Sequence, residues 1–236
     1  MRYLLIVNPI SGNGNDLKKT GQVLRFFTKR GHHLDIRLSE RPGHAEELAR
    51  AACTGGYDVI IGAGGDGTIN EVVNGMIGSD KMLAIIPWGT GNVFAGEMGF
   101  PRRLNRICRM ILHGNCLKAD IGLCHDRYFL LMAGFGIDAY SLRLLEGQRM
   151  KKRLGRLAYL IAALRAVTRY RFPRIEVTLD DGRCIHGSFV LVANTSHYGN
   201  IFSFTPRARP NDGLLDVFIY RERNPWGTVL LAVRAF

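Results

Sequence analysis

The chain has 236 residues, 47% of them hydrophobic, enough for one large domain or two small ones with a real core. Five scattered cysteines (Cys53, Cys108, Cys116, Cys124 and Cys184) form no CxxC pair and are read as free, mostly buried thiols of a reducing cytoplasm. The opening MRYLLIVNP is too short for a signal h-region, and apolar runs such as Leu157 to Leu164 are under ten residues, too short to cross a bilayer as a helix.

In chain order, the first half alternates strand and helix signals. Tyr3 to Val7 is a short apolar strand, and Asp16 to Lys29 has helical periodicity that stops at Gly31. Leu34 to Leu38 is a strand, Gly43 to Cys53 a helix, Tyr57 to Ile61 a strand, Thr68 to Ile77 a helix and Met82 to Ile86 a strand. Helical signals follow at Asn92 to Met98 and Leu104 to His113. Strands separated by helices of this length predict a mostly parallel sheet covered on both faces.

The character changes near Asp120. Arg127 to Ala133 reads as a strand, and a basic helical stretch follows over Lys152 to Thr168. Past Pro173 the pattern is β, with Asp181-Gly182 between two strand-like runs as a hairpin signal and Leu214 to Tyr220 as a further strand. NPWGTVLLAVRAF reads as a helix start, with Asn224 as N-cap and Pro225 at the first helical position. Net charge is +12, and ten Lys or Arg against one Glu lie between Ser141 and Arg174. Such a patch attracts nucleic acid, acidic lipid or a phosphorylated substrate.

Residues 59 to 72, VIIGAGGDGTINEV, pose the sharpest question. Gly62, Gly64 and Gly67 fit G-x-G-x-x-G between a strand and a helix, where backbone N–H groups can approach a phosphate. A plain tight turn fits the same spacing. A dinucleotide dehydrogenase is disfavoured, because its fingerprint normally follows the first strand and this one follows the third. Asp66 also argues against it, since a carboxylate beside a phosphate needs a cation between them or a role in proton chemistry. Capping the following helix is a third use for that acid. No GxxxxGK[ST] is present, which excludes a P-loop NTPase. Three more Gly- and Asn-rich loops fall after strands: Asn8 to Gly12, Ser39 with Pro42 to Ala45, and Pro87 to Asn92. Four such loops on one edge of one sheet form a stronger signal than any of them alone.

NPISG, GGDGTINEVVNG and PWGTGNVFA, in this order and spacing, resemble the diacylglycerol kinase catalytic-domain family, which includes bacterial lipid kinases and sphingosine and ceramide kinases. The GGDG turn is shared more distantly with NAD kinases and phosphofructokinases. Asp120-Ile121-Gly122, Phe129 to Ala139 and Pro206 to Val217 continue the likeness over essentially the whole chain. The resemblance implies an α/β fold in two domains. Residues 1–122 would be a doubly wound nucleotide-binding domain of the NAD kinase and phosphofructokinase kind. Residues 123–236 would be a β-rich, sandwich-like domain bearing the basic helix, incomplete at its C-terminus.

The implied activity is an ATP-dependent lipid kinase of phospholipid metabolism, a phosphotransferase moving the γ-phosphoryl group to a lipid hydroxyl such as that of diacylglycerol. A soluble-substrate kinase like NAD kinase and a non-catalytic nucleotide- or lipid-binding protein are the alternatives. By resemblance, Asn8, Ser11, Gly12, Ser39, Gly64, Gly65, Gly67, Thr68 and Thr90 would hold ATP, with Asn70 and Glu71 extending the motif. Asp66 would be catalytic, through Mg²⁺ or as a base. A structural Mg²⁺ would sit on the Asp212 carboxylate and the carbonyls of Arg209 and Leu214, where the residues alone also allow a plain Asp-Gly turn. The basic stretch reads as a solvated face or as a dock for an anionic membrane, and the lipid substrate favours docking. No helix-turn-helix, zinc or RNP-like signature supports nucleic acid. The expected place is cytoplasmic and peripheral to the membrane.

Two departures stand out. Val93 follows Asn92 where most members carry Asp, which implies a local loss of polarity. The chain ends at Phe236 without the Asp-Gly-Glu strand whose Glu the family uses as a base. It is then a cut form, a short inactive protein, or one completed by another chain, and an open sheet edge favours a homodimer.

Overall fold

A computed structural model describes residues 1–12, 16–137, 139–140, 143, 170–199 and 202–222. The basic residues 149–156 and the helices expected at 152–168 and 224–236 lie outside the described residues. The chain divides into two compact units, Met1–Leu131 with Pro210–Gly213, and Met132–Arg209 with Leu214–Phe236.

In the first unit β1 (Arg2–Val7), α1 (Asp16–Thr28), β2 (His33–Leu38), α2 (His44–Thr54), β3 (Val59–Gly64), α3 (Asp66–Met76) and β4 (Met82–Pro87) alternate. The four strands are parallel, in the order β2-β1-β3-β4. Successive side chains of a strand face opposite sides of the sheet. Tyr3, Leu5 and Val7 therefore enter one core with Val23 and Phe27 of α1 and with Ile107 and Cys108 of α5 (Leu104–His113). Leu4 and Ile6 enter another with the alanine face of α2 and with Val72 and Met76 of α3. Both faces are covered, as the alternating pattern predicts. The small face of α2 lets α3 lie close: a Cβ on Gly75 would collide with the Glu46 carbonyl and come within 2.8 Å of Ala49 Cβ.

Two element ends differ from expectation at the glycine turn. Strand β3 runs on to Gly64 because Gly62 and Ala63 pair with Ile6 and Val7, and Gly64 with Pro87. Helix α3 then begins at Asp66, two residues before Thr68. Its N-cap is Gly65, which carries no side chain to signal the start.

The expected strand from Arg127 to Ala133 is two strands. β5 (Gly122–Cys124) and β6 (Arg127–Phe129) form a hairpin in the first unit, and β7 (Met132–Gly136) lies in the second. The break falls at Leu130, whose side chain is buried with Ile69, Val73, Ile85 and Phe94. Its N–H donates to Asn70 Oδ1 (3.0 Å) instead of to a neighbouring strand.

The second unit holds an antiparallel sheet in the order β11-β10-β7, with β10 (Phe189–Ala193) in the middle and β11 (Asp216–Tyr220) at an edge. Phe189, Leu191 and Ala193 face Phe172, Phe204 and Phe218 in its core. Strands β8 (Ile175–Thr178) and β9 (Cys184–Gly187) form the hairpin that Asp181-Gly182 predicts. Gly182 takes φ +81°, and Arg183 N–H donates to Asp181 Oδ1 (3.0 Å).

All five cysteines are free, but only Cys108 is buried, and Cys116 and Cys184 are exposed. Hydrophobicity alone places a cysteine poorly: Cys184 lies on an open hairpin face, Cys108 on the inner face of a helix.

Candidate active site

In the order β2-β1-β3-β4 the chain leaves β1 in one direction and β3 in the other. This reversal of direction, at the carboxyl ends of β1 and β3, is where ligands of such sheets bind. Asn8 follows β1, the glycine turn follows β3, and the two are joined directly. Asn8 N–H donates to the Ala63 carbonyl (3.0 Å), and Asn8 Nδ2 to Thr68 Oγ1 (2.9 Å). The loop then curls on Asn8: Ile10 N–H donates to its Oδ1 (3.1 Å) and Ser11 Oγ to its carbonyl (2.8 Å), ahead of Gly12 at φ +69°. Ser39, buried at the end of β2, is tied one strand over by its N–H to the Val7 carbonyl (2.8 Å).

The loop after β4 packs on the glycine turn backbone to backbone. Trp88 and Gly89 N–H both donate to the Gly64 carbonyl (2.9 and 3.1 Å). A Cβ on Gly89 would collide with Gly65 Cα, and one on Gly91 would lie 3.2 Å from Asp66 Oδ2. Asn92, at φ 52°, folds its amide back on the loop: Gly89 N–H donates to its Oδ1 (2.8 Å) and its Nδ2 to the Gly89 carbonyl (2.7 Å). Thr90 stands exposed between the two glycines.

The acid in the glycine turn finds its partners across the fold. Asp66 sits in the first turn of α3, yet its carboxylate reaches the start of α4 (Val93–Glu97). Oδ2 accepts from Val93 N–H (3.1 Å) and Oδ1 from Phe94 N–H (3.3 Å). It thus caps the next helix and not its own, and Val93, where the family usually has Asp, takes part through its backbone.

The N-terminus of α3 has no side-chain cap, and a Cβ placed on Gly67 meets nothing within 4 Å. The first N–H groups of a helix lack intrahelical acceptors and carry a positive dipole end. Open space, uncapped N–H groups and an acid turned aside toward α4 suit an approaching phosphate. The carboxylate uses two of about four lone-pair positions on N–H groups, which leaves acceptor capacity for a cation.

Asn70 and Glu71 lie on the same helix but engage other backbone. Asn70 Nδ2 and Asn74 Nδ2 both donate to the Tyr128 carbonyl (3.0 and 2.9 Å), and Tyr128 N–H returns to Asn74 Oδ1 (3.0 Å). Glu71 Oε2 accepts from Ala45 N–H (3.3 Å), in the first turn of α2, which enters from Gly43 at φ +80°. Asp212 lies in the turn 210–213 of the first unit, where Gly213 N–H donates to Asp120 Oδ2 and Asp120 N–H to the Pro210 carbonyl (both 2.7 Å). Arg209 and Leu214 belong to the second unit. Of the loop after β4, the sequence reading takes only Thr90 into the site. Gly89 bonds it to the glycine turn, Gly91 lies close to Asp66 and Asn92 holds the loop in shape, and the repeated Gly-x-Gly is their signal in the sequence.

Comparison with known proteins agrees with this geometry. The diacylglycerol kinase catalytic domain matches residues 2–124, and the YegS C-terminal NAD kinase beta sandwich-like domain matches residues 132–231. Diacylglycerol kinase of Bacillus subtilis (strain 168) is 34% identical over 228 residues, covering 94% of this chain and 75% of that protein. Diacylglycerol kinase of Staphylococcus carnosus (strain TM300) is 29% identical over 229 residues, covering 94% and 74%. The crystal structure of a diacylglycerol kinase from Bacillus anthracis str. Sterne superposes with a TM-score of 0.76 at 26% identity, over 99% of this chain and 78% of that one. With these likenesses across both units, the chain belongs to the diacylglycerol kinase family of lipid kinases.

Proposed function

We propose that this chain transfers the γ-phosphoryl group of ATP to the hydroxyl of a membrane lipid of the diacylglycerol class. The observation that carries the reading is the junction of three strand-end loops at the switch point, through the Asn8–Thr68 bond and the Gly65–Gly89 backbone contact. ATP phosphates would lie on the N–H groups of Gly65, Gly67 and Thr68, beside Asn8, Ser11, Gly12 and Gly64, with Ser39 and Thr90 at the flanks. Phosphoryl transfer asks for positioning and charge neutralisation more than covalent help. Asn70 and Glu71 serve by holding α3 to its neighbours. Asp66 keeps a fixed negative charge at the phosphate end, oriented by Val93 and Phe94, and Mg²⁺ held there would supply neutralisation of the transferring group. A carboxylate held by two N–H groups suits that role better than proton abstraction. Asp212, in a turn to which Asp120 is hydrogen-bonded, offers a second Mg²⁺ position, a structural one.

An anionic membrane surface is the proposed partner. Among the described residues, α1 and α5 meet along a groove carrying Arg25, Lys29, Arg30, Arg103, Arg106 and Arg109. Residues 17–34 and 98–119 contain no Asp or Glu to offset them. No helix among the described residues is long and apolar enough to cross a membrane. Among the described residues strand β11 is an edge of its sheet, where a second copy of the chain could add a strand.

The deciding experiment is ATP turnover with diacylglycerol in anionic vesicles, with NAD, and with no acceptor. The reading expects transfer to diacylglycerol alone. Transfer to NAD, or ATP binding with no transfer to any acceptor, overturns it.

A further inference from the structure

The β8–β9 hairpin carries three side chains of metal-ligating type on one face. The register sets Glu176 opposite His186 and Thr178 opposite Cys184. Cys184 and His186 are two residues apart, so they share a face, and Glu176 reaches both from the facing strand. One ligand atom from each of the three lies within 4.8 Å of the other two.

Their present contacts are loose. His186 Nδ1 is 3.8 Å from Glu176 Oε2, beyond hydrogen-bond range, and it is a buried nitrogen with no hydrogen-bond partner. A buried polar atom left in this way is costly, and a cation among the three groups would satisfy it. The nearby Arg183 is engaged elsewhere, its Nε 2.6 Å from Asp181 Oδ2. The hairpin is closed by Leu179 N–H to the Arg183 carbonyl (2.9 Å), so the ligands sit on a fixed frame.

The donor set selects the ion. Thiolate and imidazole suit zinc and its neighbours, whereas Mg²⁺ and Ca²⁺ take oxygen ligands. One thiolate and one carboxylate neutralise a divalent charge. Three protein ligands leave a fourth position for water. We propose that Glu176, Cys184 and His186 bind a zinc-class divalent cation that clamps the hairpin, apart from any Mg²⁺ used in phosphoryl transfer. Binding sends the Cys184 thiol proton to solvent, so affinity falls as pH falls.

The test uses the full, untagged chain after chelator treatment. Zn²⁺ is titrated by calorimetry and Co²⁺ by absorption. The proposal expects one more equivalent of Zn²⁺ than in Cys184→Ser, and a near-ultraviolet thiolate-to-cobalt band that this variant lacks. Outer-sphere partners of a metal are worth 10- to 100-fold in affinity, so loss of the direct ligand in Glu176→Gln should cost at least ~10-fold. Cys184 is exposed, so its serine variant keeps the fold. A wild-type chain that takes up no Zn²⁺ overturns the proposal. So does equal uptake and an equal cobalt spectrum in wild type, Cys184→Ser and His186→Ala. In either case the three residues form only a cross-strand ion pair beside an open thiol.

Discussion

Replacing Asp66 by Asn separates the two tasks of that carboxylate. Its oxygens accept one N–H each, from Val93 at 3.1 Å and Phe94 at 3.3 Å. An asparagine amide keeps one acceptor oxygen, and its NH₂ group turns donors toward the other N–H. One charge-assisted hydrogen bond, about 1.5–3 kcal/mol, is lost. Both bonds are long and the side chain is only half-buried, which points to the lower end, about 1.5 kcal/mol. For a chain of this length about 1 kcal/mol moves the melting midpoint by roughly 2–4 °C. Thermal unfolding should therefore show a drop of about 3–6 °C. Turnover with diacylglycerol should fall by more than ~100-fold if the charge orients Mg²⁺ or takes a proton. High Mg²⁺ should recover part of that loss if the carboxylate serves the metal, and none if it is a base. An Asp66→Asn variant as stable as the parent refutes the tether to α4, and one that is fully active refutes the charge's part in the reaction.

Gly67→Val enters open space, so the melting midpoint should hold; a blocked N–H contact of about 1.5–3 kcal/mol should weaken ATP binding at least ~10-fold by calorimetry. Asn70→Ala removes its bonds to the Leu130 N–H and the Tyr128 carbonyl and should cost about 1–3 kcal/mol in urea unfolding; since Asn74 still serves that carbonyl, adding Asn74→Ala strips its second donor and should cost more than the two separate losses combined. Burial raises the pKa of Glu46, but hydrogen bonds from Arg50 and Arg127 outweigh it and hold the carboxyl below its ordinary range. The stability it contributes is present above the ordinary Glu value and lost as pH falls through the lower folded one. Arg127→Met should shrink that acid-side loss and cost up to about 1 kcal/mol at neutral pH, read from unfolding curves across pH. Neutralising Arg103, Arg106 and Arg109 removes about 3 kcal/mol of attraction, on the order of 100-fold in sedimentation with anionic vesicles at low salt; equal binding to neutral vesicles sinks the membrane reading.

The parallel half of the fold was legible because its strands are apolar on both faces and its helices on one. Leu4, Leu5 and Ile6 could only belong to a strand buried on both sides. The glycine turn was legible as a phosphate site from its place after a strand, yet the exact start of α3 was not. A glycine N-cap gives no side-chain signal, and of the three uses read for Asp66 only the capping one was structural, and it pointed to the wrong helix because partners distant in sequence are invisible in a local pattern. The same limit hides the short hairpin β5–β6. Its three-residue strands are too brief for periodicity, and Asn70 and Asn74 hold it from 54 to 60 residues away. Asn70 and Glu71 read as motif extensions, while their side chains spend their bonds on hairpin and helix backbone.

The placement of β1 between β2 and β3 bears on how the chain is made. Domains fold from the N-terminus as synthesis proceeds. Strand β1 can pair with β2 early, but its other edge waits for Val59 to Ala63, which emerge only after α2. Pairings distant in sequence close slowly, and an unpaired apolar edge invites other chains meanwhile. Leu5, Ile6 and Val7, all wholly buried at the end, face that interval unprotected on one side. Arg2 is the lone charge in this strand, a single gatekeeper on the segment most exposed to aggregation before β3 arrives.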